Sequence, residues 1–265
     1  MTDTYQNLTY ALEDGSARIT LNRPHVRNAF DRGLIDDLIR AFQTIAEAPS
    51  GKIRSVVLAG EGATFCAGAD VNWMRDSLQL TEEENIRDAL HMARMFETIN
   101  LSPVPVIGRI HGAALGGGVG LVAVCDIAVA AEGTTFAFSE AKLGIAPAVI
   151  SPYVLRKIGR SHARALFLTA ERFDTDRAFQ AGLIHIVKPL DQVDAEVERL
   201  VKEIATSAPH AVARAKALIA AVPDLLPVEA GQYTAETIAA LRVSPEGQEG
   251  LRAFLDKRKP AWVDK

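Results

Sequence analysis

The sequence predicts an α/β fold whose last third is helical. Three observations carry that reading. Short apolar runs alternate with helix-period stripes, start and stop signals separate them, and the strand-like runs end near Leu190. The 265 residues are 48% hydrophobic and 23% charged, a globular composition with enough apolar side chains for a sizeable core.

Taken in order, the strand candidates are Arg18–Leu21, Ser55–Leu58, Val104–Ile110, Ile127–Ala130 and Ile184–Val187. A helix opens at Asp31, its N-cap, and carries Leu34, Ile35, Leu38, Ile39, Phe42 and Ile45 on one face. Thr81 and Glu84 match the capping-box pattern. The stripe behind them is Ile86, Leu90, Ala93, Phe96 and Ile99, and it stops before Ser102-Pro103. Ser151-Pro152 reads as the cap and first residue of another helix, and Asp174 to Ala181 as a short helix closed by Gly182. Beyond Leu190 the residues Val193, Val197, Leu200, Val201 and Ile204 keep the helical period, and Pro209, Pro223, Pro227 and Pro245 punctuate further helical pieces. No repeat is visible in residue identity.

Charge and cysteine usage narrow the function classes. Lys and Arg number 29 against 33 Asp and Glu, a net charge of −4, which argues against a nucleic-acid surface. An anionic ligand then has to be met by a few placed cations. Cys66 and Cys125 form neither a disulfide framework nor a metal cluster, and they fit a reducing, cytoplasmic setting. The start, MTDTYQNLTY, lacks a basic segment followed by an apolar core, so no secretory signal is expected. Apolar runs such as Val119 to Cys125 fall far short of the ~20 residues of a membrane span.

The stretch HGAALGGGVGLVAVCD, His111 to Asp126, holds three consecutive glycines before an apolar, helix-like run. A dinucleotide fingerprint can be forced onto Gly118, Gly120 and Ala123, with Glu140 downstream, but it lies more than a hundred residues into the chain, where the first βα turn of such a fold does not. No Gly-Lys-Ser/Thr and no G-x-S-x-G elbow is present. Tight packing accounts for any one glycine. Three after a strand fit a helix start better: free N–H groups there carry the positive end of the helix dipole and can hold a carbonyl oxygen that becomes negative during reaction. A second donor is then required. The small residues of TFCAGAD, Thr64 to Asp70, follow a strand and offer one.

FCAGAD paired with HGAALGGG…CD resembles the crotonase superfamily, also called the enoyl-CoA hydratase/isomerase family. The segments ITLNRPHVRNAF, FSEAKLGIAP, LTAERFDTDRAFQAGLIHIV and FLDKRKPAW follow in the family's order and span almost the whole chain. The resemblance implies a spiral of ββα units over 1–192 and a helical region over 193–265 that builds trimers, which pair into hexamers. It implies an acyl-CoA thioester as ligand, with coenzyme A as part of the substrate and no metal or redox cofactor. The thioester oxygen is expected between the N–H groups of Ala69 and Gly117. Coenzyme A is expected along Ala67, Ala69 and Asp70, with Arg23 and Arg27 near its phosphates and adenosine, and Phe254 and Lys257 reaching it from the C-terminal region. Without that resemblance, Arg23, Arg27 and Lys257 read as solvated surface charges.

Hydration of an enoyl thioester handles protons at two carbons, and hydratases of this family use two glutamates. Glu140 stands 23 positions after Gly117 and matches one of them. Its apolar neighbours Phe136, Phe138, Leu143 and Ile145 predict a raised pKa. The other falls three positions after Gly117, where the chain has Gly120. His111 and Ser139 are not placed at the reacting carbons by spacing, and Asp126 is structural in the family. Three outcomes fit one glutamate. Glu140 performs both transfers in a hydration, or moves one proton in a Δ3,Δ2-enoyl-CoA isomerisation, or is helped by a carboxylate of the substrate. Glycine at 120 is expected to open room for a branched or carboxylated chain. GGGVGLVAVCD with PAVISPYV and LTAERFD looks like a bacterial branch of methylglutaconyl-CoA or γ-carboxygeranoyl-CoA hydratases of leucine and isoprenoid catabolism. Against the enzyme reading stands a catalytically silent coenzyme A scaffold, which the glycine at 120 would fit, and more remotely a nicotinamide enzyme.

Overall fold

A computed structural model describes residues 4–263. The outermost residues of the two expected regions, 1–3 and 264–265, lie outside the described residues. The chain opens with a hairpin, β1 (Leu8–Glu13) and β2 (Ser16–Leu21), joined by Asp14-Gly15 with φ of 47° and 73°. Both residues adopt the left-handed region that a two-residue hairpin turn demands, and an Asp-Gly pair supplies it. Next come α1 (Arg32–Glu47), β3 (Ser55–Gly60), α2 (Val71–Ser77), α3 (Glu82–Asn100), β4 (Val106–Ile110), β5 (Ala113–Leu115), α4 (Gly117–Val124), β6 (Ile127–Ala131) and β7 (Thr135–Ala137). The series continues with α5 (Ser151–Thr169), β8 (Arg172–Phe173), α6 (Thr175–Gln180), β9 (Ile186–Lys188), α7 (Leu190–Ala205), α8 (Pro209–Ala221), α9 (Pro227–Val243) and α10 (Pro245–Leu255).

Two sheets share these strands. The larger has the order β1-β2-β3-β4-β6-β9, parallel except for the hairpin pair. The smaller is β5-β7-β8, with β5 and β7 parallel. The chain visits them alternately: β4 in the large sheet, β5 in the small one, then α4; β6 in the large, β7 in the small, then α5. The turn before these has the same form. After β3, Cys66 forms a parallel bridge to Ala114 of β5, and α2 follows. So the ββα repeat invisible in residue identity is a repeat of geometry, three turns of one spiral.

The first helix forms as its sequence dictates. Asp31 accepts the Leu34 N–H at 2.9 Å, and Leu34, Ile35, Leu38, Ile39, Phe42 and Ile45 are all buried. The Thr81–Glu84 capping box closes reciprocally, with Thr81 N–H donating to Glu84 at 2.8 Å. The stripe behind it is only half used. Phe96 and Ile99 are buried, whereas Ile86 and Leu90 remain exposed, because periodicity marks an apolar face without saying that this chain covers it. Ser151 is the first residue of α5 rather than its cap; Ile150 takes that place and the Ser151 hydroxyl donates to the Ala148 carbonyl at 2.7 Å. A left-handed Gly159 (φ 69°) breaks α5 into two. Gly182 closes α6, with the Leu183 N–H reaching back to Ala178 at 2.9 Å.

Most buried residues form one cluster between the sheet, α1, α3, α4 and α5. A second cluster lies on the other face of the large sheet, where Val193, Val197 and Val201 of α7 pack on Val57, Ile107, Val129 and Ala131. α7 therefore belongs with the sheet, and the expected border at 192/193 falls inside it. The helices that stand apart begin after Ala205; α8 and α9 bury no residue, and α10 buries only Ala253. Among the described residues, no helix is long and apolar enough to cross a membrane.

Candidate functional site

Three consecutive turns of the spiral end at one place. Cys66 pairs with Ala114, and Ala114 with Phe136. Three residues further along each run stand Ala69, Gly117 and Ser139, with Glu140 next. The short ladder binds them: Cys66 N–H donates to Ala113, Leu115 N–H to Cys66, and Gly116 N–H to Ala137 at 2.8 Å.

The two expected donors are left unpaired by this arrangement. Phe30 bridges Ala69, with Phe30 N–H on the Gly68 carbonyl and Asp70 N–H on the Phe30 carbonyl, so the N–H of Ala69 itself points away from that pairing. Gly117 opens α4, where the first N–H groups have no intrahelical acceptor. Among the described residues neither N–H has a hydrogen-bond partner. The two loops touch: a side chain at Gly68 would meet the Leu115 carbonyl at 2.7 Å and the Gly117 nitrogen at 3.6 Å.

Each glycine of the triplet is held to glycine by a different neighbour. Gly116 has φ of 51°, and a Cβ there would lie 3.2 Å from Glu140 Oε1. At Gly117 it would lie 2.2 Å from Phe30 Cζ, and at Gly118 2.3 Å from the Cys66 carbonyl oxygen. Glu140 follows β7 in a short 3-10 turn, Ser139–Leu143, with its carboxylate against Gly116. Its Oε2 is buried with no hydrogen-bond partner among the described residues, and burial pushes the carboxyl above its ordinary value of 4.5. A carboxyl whose hold on its proton is raised in this way suits general acid–base work.

Gly120 corrects an expectation. Its missing side chain leaves no room: a Cβ there would meet Ile150 Cγ2 at 2.3 Å and the Phe96 ring at 2.9 Å. The space is filled from α3 and from the turn before α5, segments whose approach to α4 the spacing of glycines does not reveal.

The other expected ligand residues separate into two groups. Arg23 is engaged within the protein: it pairs with Asp31 at 2.7 Å and with Asp70 at 3.0 Å, and donates to the Ala29 carbonyl. Asp70 is buried and caps α2 by accepting the Asn72 N–H at 2.8 Å. The pair fastens the Ala67–Ala69 loop to the start of α1. Replacing Arg23 by Met is expected to lower stability by about 3–5 kcal/mol, because Asp70 stays buried and loses its counter-charge; urea unfolding measures it, and a loss near zero would show that Asp70 does not need the cation. Arg27 is exposed, and its carbonyl accepts the Ala67 N–H at 3.0 Å, which sets it beside the first loop. Phe254 and Lys257 stand at the end of α10, both exposed, Phe254 by 82%. The structure thus gathers Ala67, Ala69, Gly117 and Glu140, with Asp70, Arg23 and Arg27 behind the first loop.

His111 lies outside this cluster. Its ring nitrogens face the Gly62 carbonyl at 2.7 Å and Arg109 at 2.9 Å, and burial lowers its pKa. Asp126 accepts the Val106 N–H and pairs with Lys216, both at 2.7 Å, which ties β4 to α8. Two clefts lie elsewhere, one of about 630 Å³ between the start of β1, α1 and α3, the other of about 340 Å³ beside His111 and Arg109. Sequence reasoning missed Phe30, Phe96 and Ile150, which decide where the glycines are needed. Phe30 stands in the NRPHVRNAF segment and was legible as part of a motif; nothing marked the other two as neighbours of α4.

Comparison with known proteins agrees with this fold. The family model described as enoyl-CoA hydratase/isomerase matches residues 12–265. The fold superposes on a crystal structure of an enoyl-CoA hydratase from Shewanella pealeana with a TM-score of 0.93, 38% identity, and 97% of this chain and 96% of the other covered. An enoyl-CoA hydratase structure from Mycobacterium smegmatis gives a TM-score of 0.92 and 33% identity over 97% and 99% of the two chains. The enoyl-CoA hydratase AFT6-1 of Alternaria alternata is 38% identical over 206 residues, 77% of this chain and 66% of its own.

Proposed function

Because this chain belongs to the enoyl-CoA hydratase/isomerase family, we propose that it hydrates the double bond of an enoyl-CoA thioester, with Glu140 as acid and base and the N–H groups of Ala69 and Gly117 as the oxyanion hole. One observation carries the proposal: two unpaired backbone donors in register on adjacent turns, with a buried, partnerless carboxylate oxygen on the next. In this reading the thioester makes Cβ electrophilic. Water attacks there and loses a proton to Glu140, the enolate charge collects on the thioester oxygen, and Glu140 then returns a proton to Cα. Preorganised donors hold that charge at no cost of reorganisation in the transition state. Coenzyme A lies along Ala67 to Asp70, with Arg27 as the exposed cation beside it. Arg23 and Asp70 serve by holding the loop. Phe254, outward on α10, and Lys257, exposed just past its end, reach coenzyme A of a neighbouring subunit in a trimer or a pair of trimers, and exposed Val228, Leu251 and Leu255 supply apolar surface for that assembly.

The finer substrate we propose is a branched, carboxylated chain, 3-methylglutaconyl-CoA. Its support is the sequence likeness of GGGVGLVAVCD and PAVISPYV, and a site with one carboxylate gains from a substrate that brings its own. That single carboxylate also favours a second reading, the Δ3,Δ2-isomerase, which moves one proton. Product NMR on 3-methylglutaconyl-CoA, crotonyl-CoA and a 3-enoyl-CoA separates these. Hydroxyacyl product from the first is expected. Good turnover of crotonyl-CoA alone defeats the substrate, and double-bond migration without any hydroxyacyl product defeats the hydratase.

A further inference from the structure

Gly120 sits one helical turn below Gly116, whose carbonyl accepts its N–H at 3.3 Å. It therefore lies beneath the point where Glu140 meets the helix. The space a side chain would need there belongs to Ile150 and Phe96, which are 3% and 0% exposed. Neither is free to swing away. The Ile150 carbonyl accepts the first N–H groups of α5, from Tyr153 at 3.2 Å and Val154 at 3.1 Å, so the helix start fixes its backbone. Phe96 lies edge-on to Phe30 at 6.3 Å and tilts against Tyr153 at 6.1 Å. Phe30 in turn meets Trp73 at 6.4 Å and fills the space over Gly117. One aromatic layer thus underlies Gly117 and Gly120, and Ile150 seals its gap at Gly120.

Hydration takes a proton from water and delivers one to Cα. A group at position 120 would share that work with Glu140. We propose that Ile150 is a specificity-determining residue: its side chain, seated over Gly120, holds the site to one protein carboxylate and closes that side to water. This rests on the acyl-CoA reading above. Unbranched 2-enoyl-CoAs, which bring no carboxylate of their own, are then slow substrates, because position 120 holds glycine and Ile150 occupies the space a carboxylate there would need.

A cycle of variants tests packing and chemistry separately. Gly120→Ala alone should lower Tm by roughly 2–10 °C through overpacking, and Ile150→Ala in the same chain should recover most of it. Gly120→Glu with Ile150→Ala, where the Phe96 ring can tilt into the vacated space, should raise kcat on crotonyl-CoA about tenfold or more and add a second ionisation to its pH profile. Ile150→Ala alone should add no ionisation. Additive Tm effects at 120 and 150 overturn the packing claim. A folded double variant with one ionisation and unchanged kcat overturns the catalytic claim. A wild type that turns over no enoyl-CoA sinks the acyl-CoA reading itself, and the Tm cycle, which needs no substrate, still reports whether Ile150 occupies the space.

Discussion

Glu140→Gln is expected to lower kcat by about 10²–10⁴-fold while coenzyme A binding stays intact. The substitution keeps the volume against Gly116 and removes the ability to exchange a proton. Because burial raises this carboxyl above 4.5, the acid limb of wild-type kcat/KM should lie above the usual glutamate range. The same shift acts on stability with a definite sign. The native state holds the proton more tightly than the unfolded chain, so between pH 4.5 and the raised value the unfolded state releases it first and stability falls as pH rises. Glu140→Gln should remove that fall. Measured kcat, isothermal titration with coenzyme A and urea midpoints against pH check all three. A variant that keeps wild-type turnover would take Glu140 out of the reaction.

Gly117→Ala should be damaging in two separable ways. The new methyl would stand 2.2 Å from Phe30 Cζ, and that ring is fully buried between Trp73 and Phe96, so overpacking of about 1–3 kcal/mol is expected. Relief by shifting the start of α4 carries the Gly117 N–H away from its partner donor. Losing one such donor costs roughly 2.7–4 kcal/mol in the transition state, about 10²–10³ in kcat. Trimming the ring with Phe30→Leu beside Gly117→Ala should restore stability first and kcat with it. Should Gly117→Ala retain full kcat at a lower Tm, the glycine is a packing residue and the oxyanion assignment fails.

Backbone donors explain why so much of this site is readable in the sequence alone. Small residues around a turn and a helix start mark the stretches TFCAGAD and HGAALGGG, the family resemblance narrows them to Ala69 and Gly117, and glycine is needed where the chain bends to positive φ or meets a neighbour closely. The strands β5 and β7 escape such reading for the opposite reason: at three residues each they carry no period. β1 escapes it although the Asp-Gly of ALEDGSARI announces a hairpin, because its outward face is polar and only Leu8 is fully buried. Packing partners far apart in the chain are not legible. Ile150 lies thirty residues from Gly120, and no local pattern says that one fills the space of the other. The Arg23–Asp70 pair is likewise invisible, since an arginine beside a ligand and one buried on an aspartate look alike in one dimension.

The in-register stacking of Cys66, Ala114 and Phe136 sets where this chain can change its length. Between the turns, as in the long excursion from α2 through α3 to β4, added or lost residues leave the ladder in place. Within 66–69, 114–117 or 136–140 a single inserted residue would turn every later side chain of that run to the other face and slide one part of the site past the other two. Variation in length should therefore gather in the excursions and be absent from the three short runs. The chain has wide freedom in how it travels from one turn to the next, and almost none in the few residues with which it arrives.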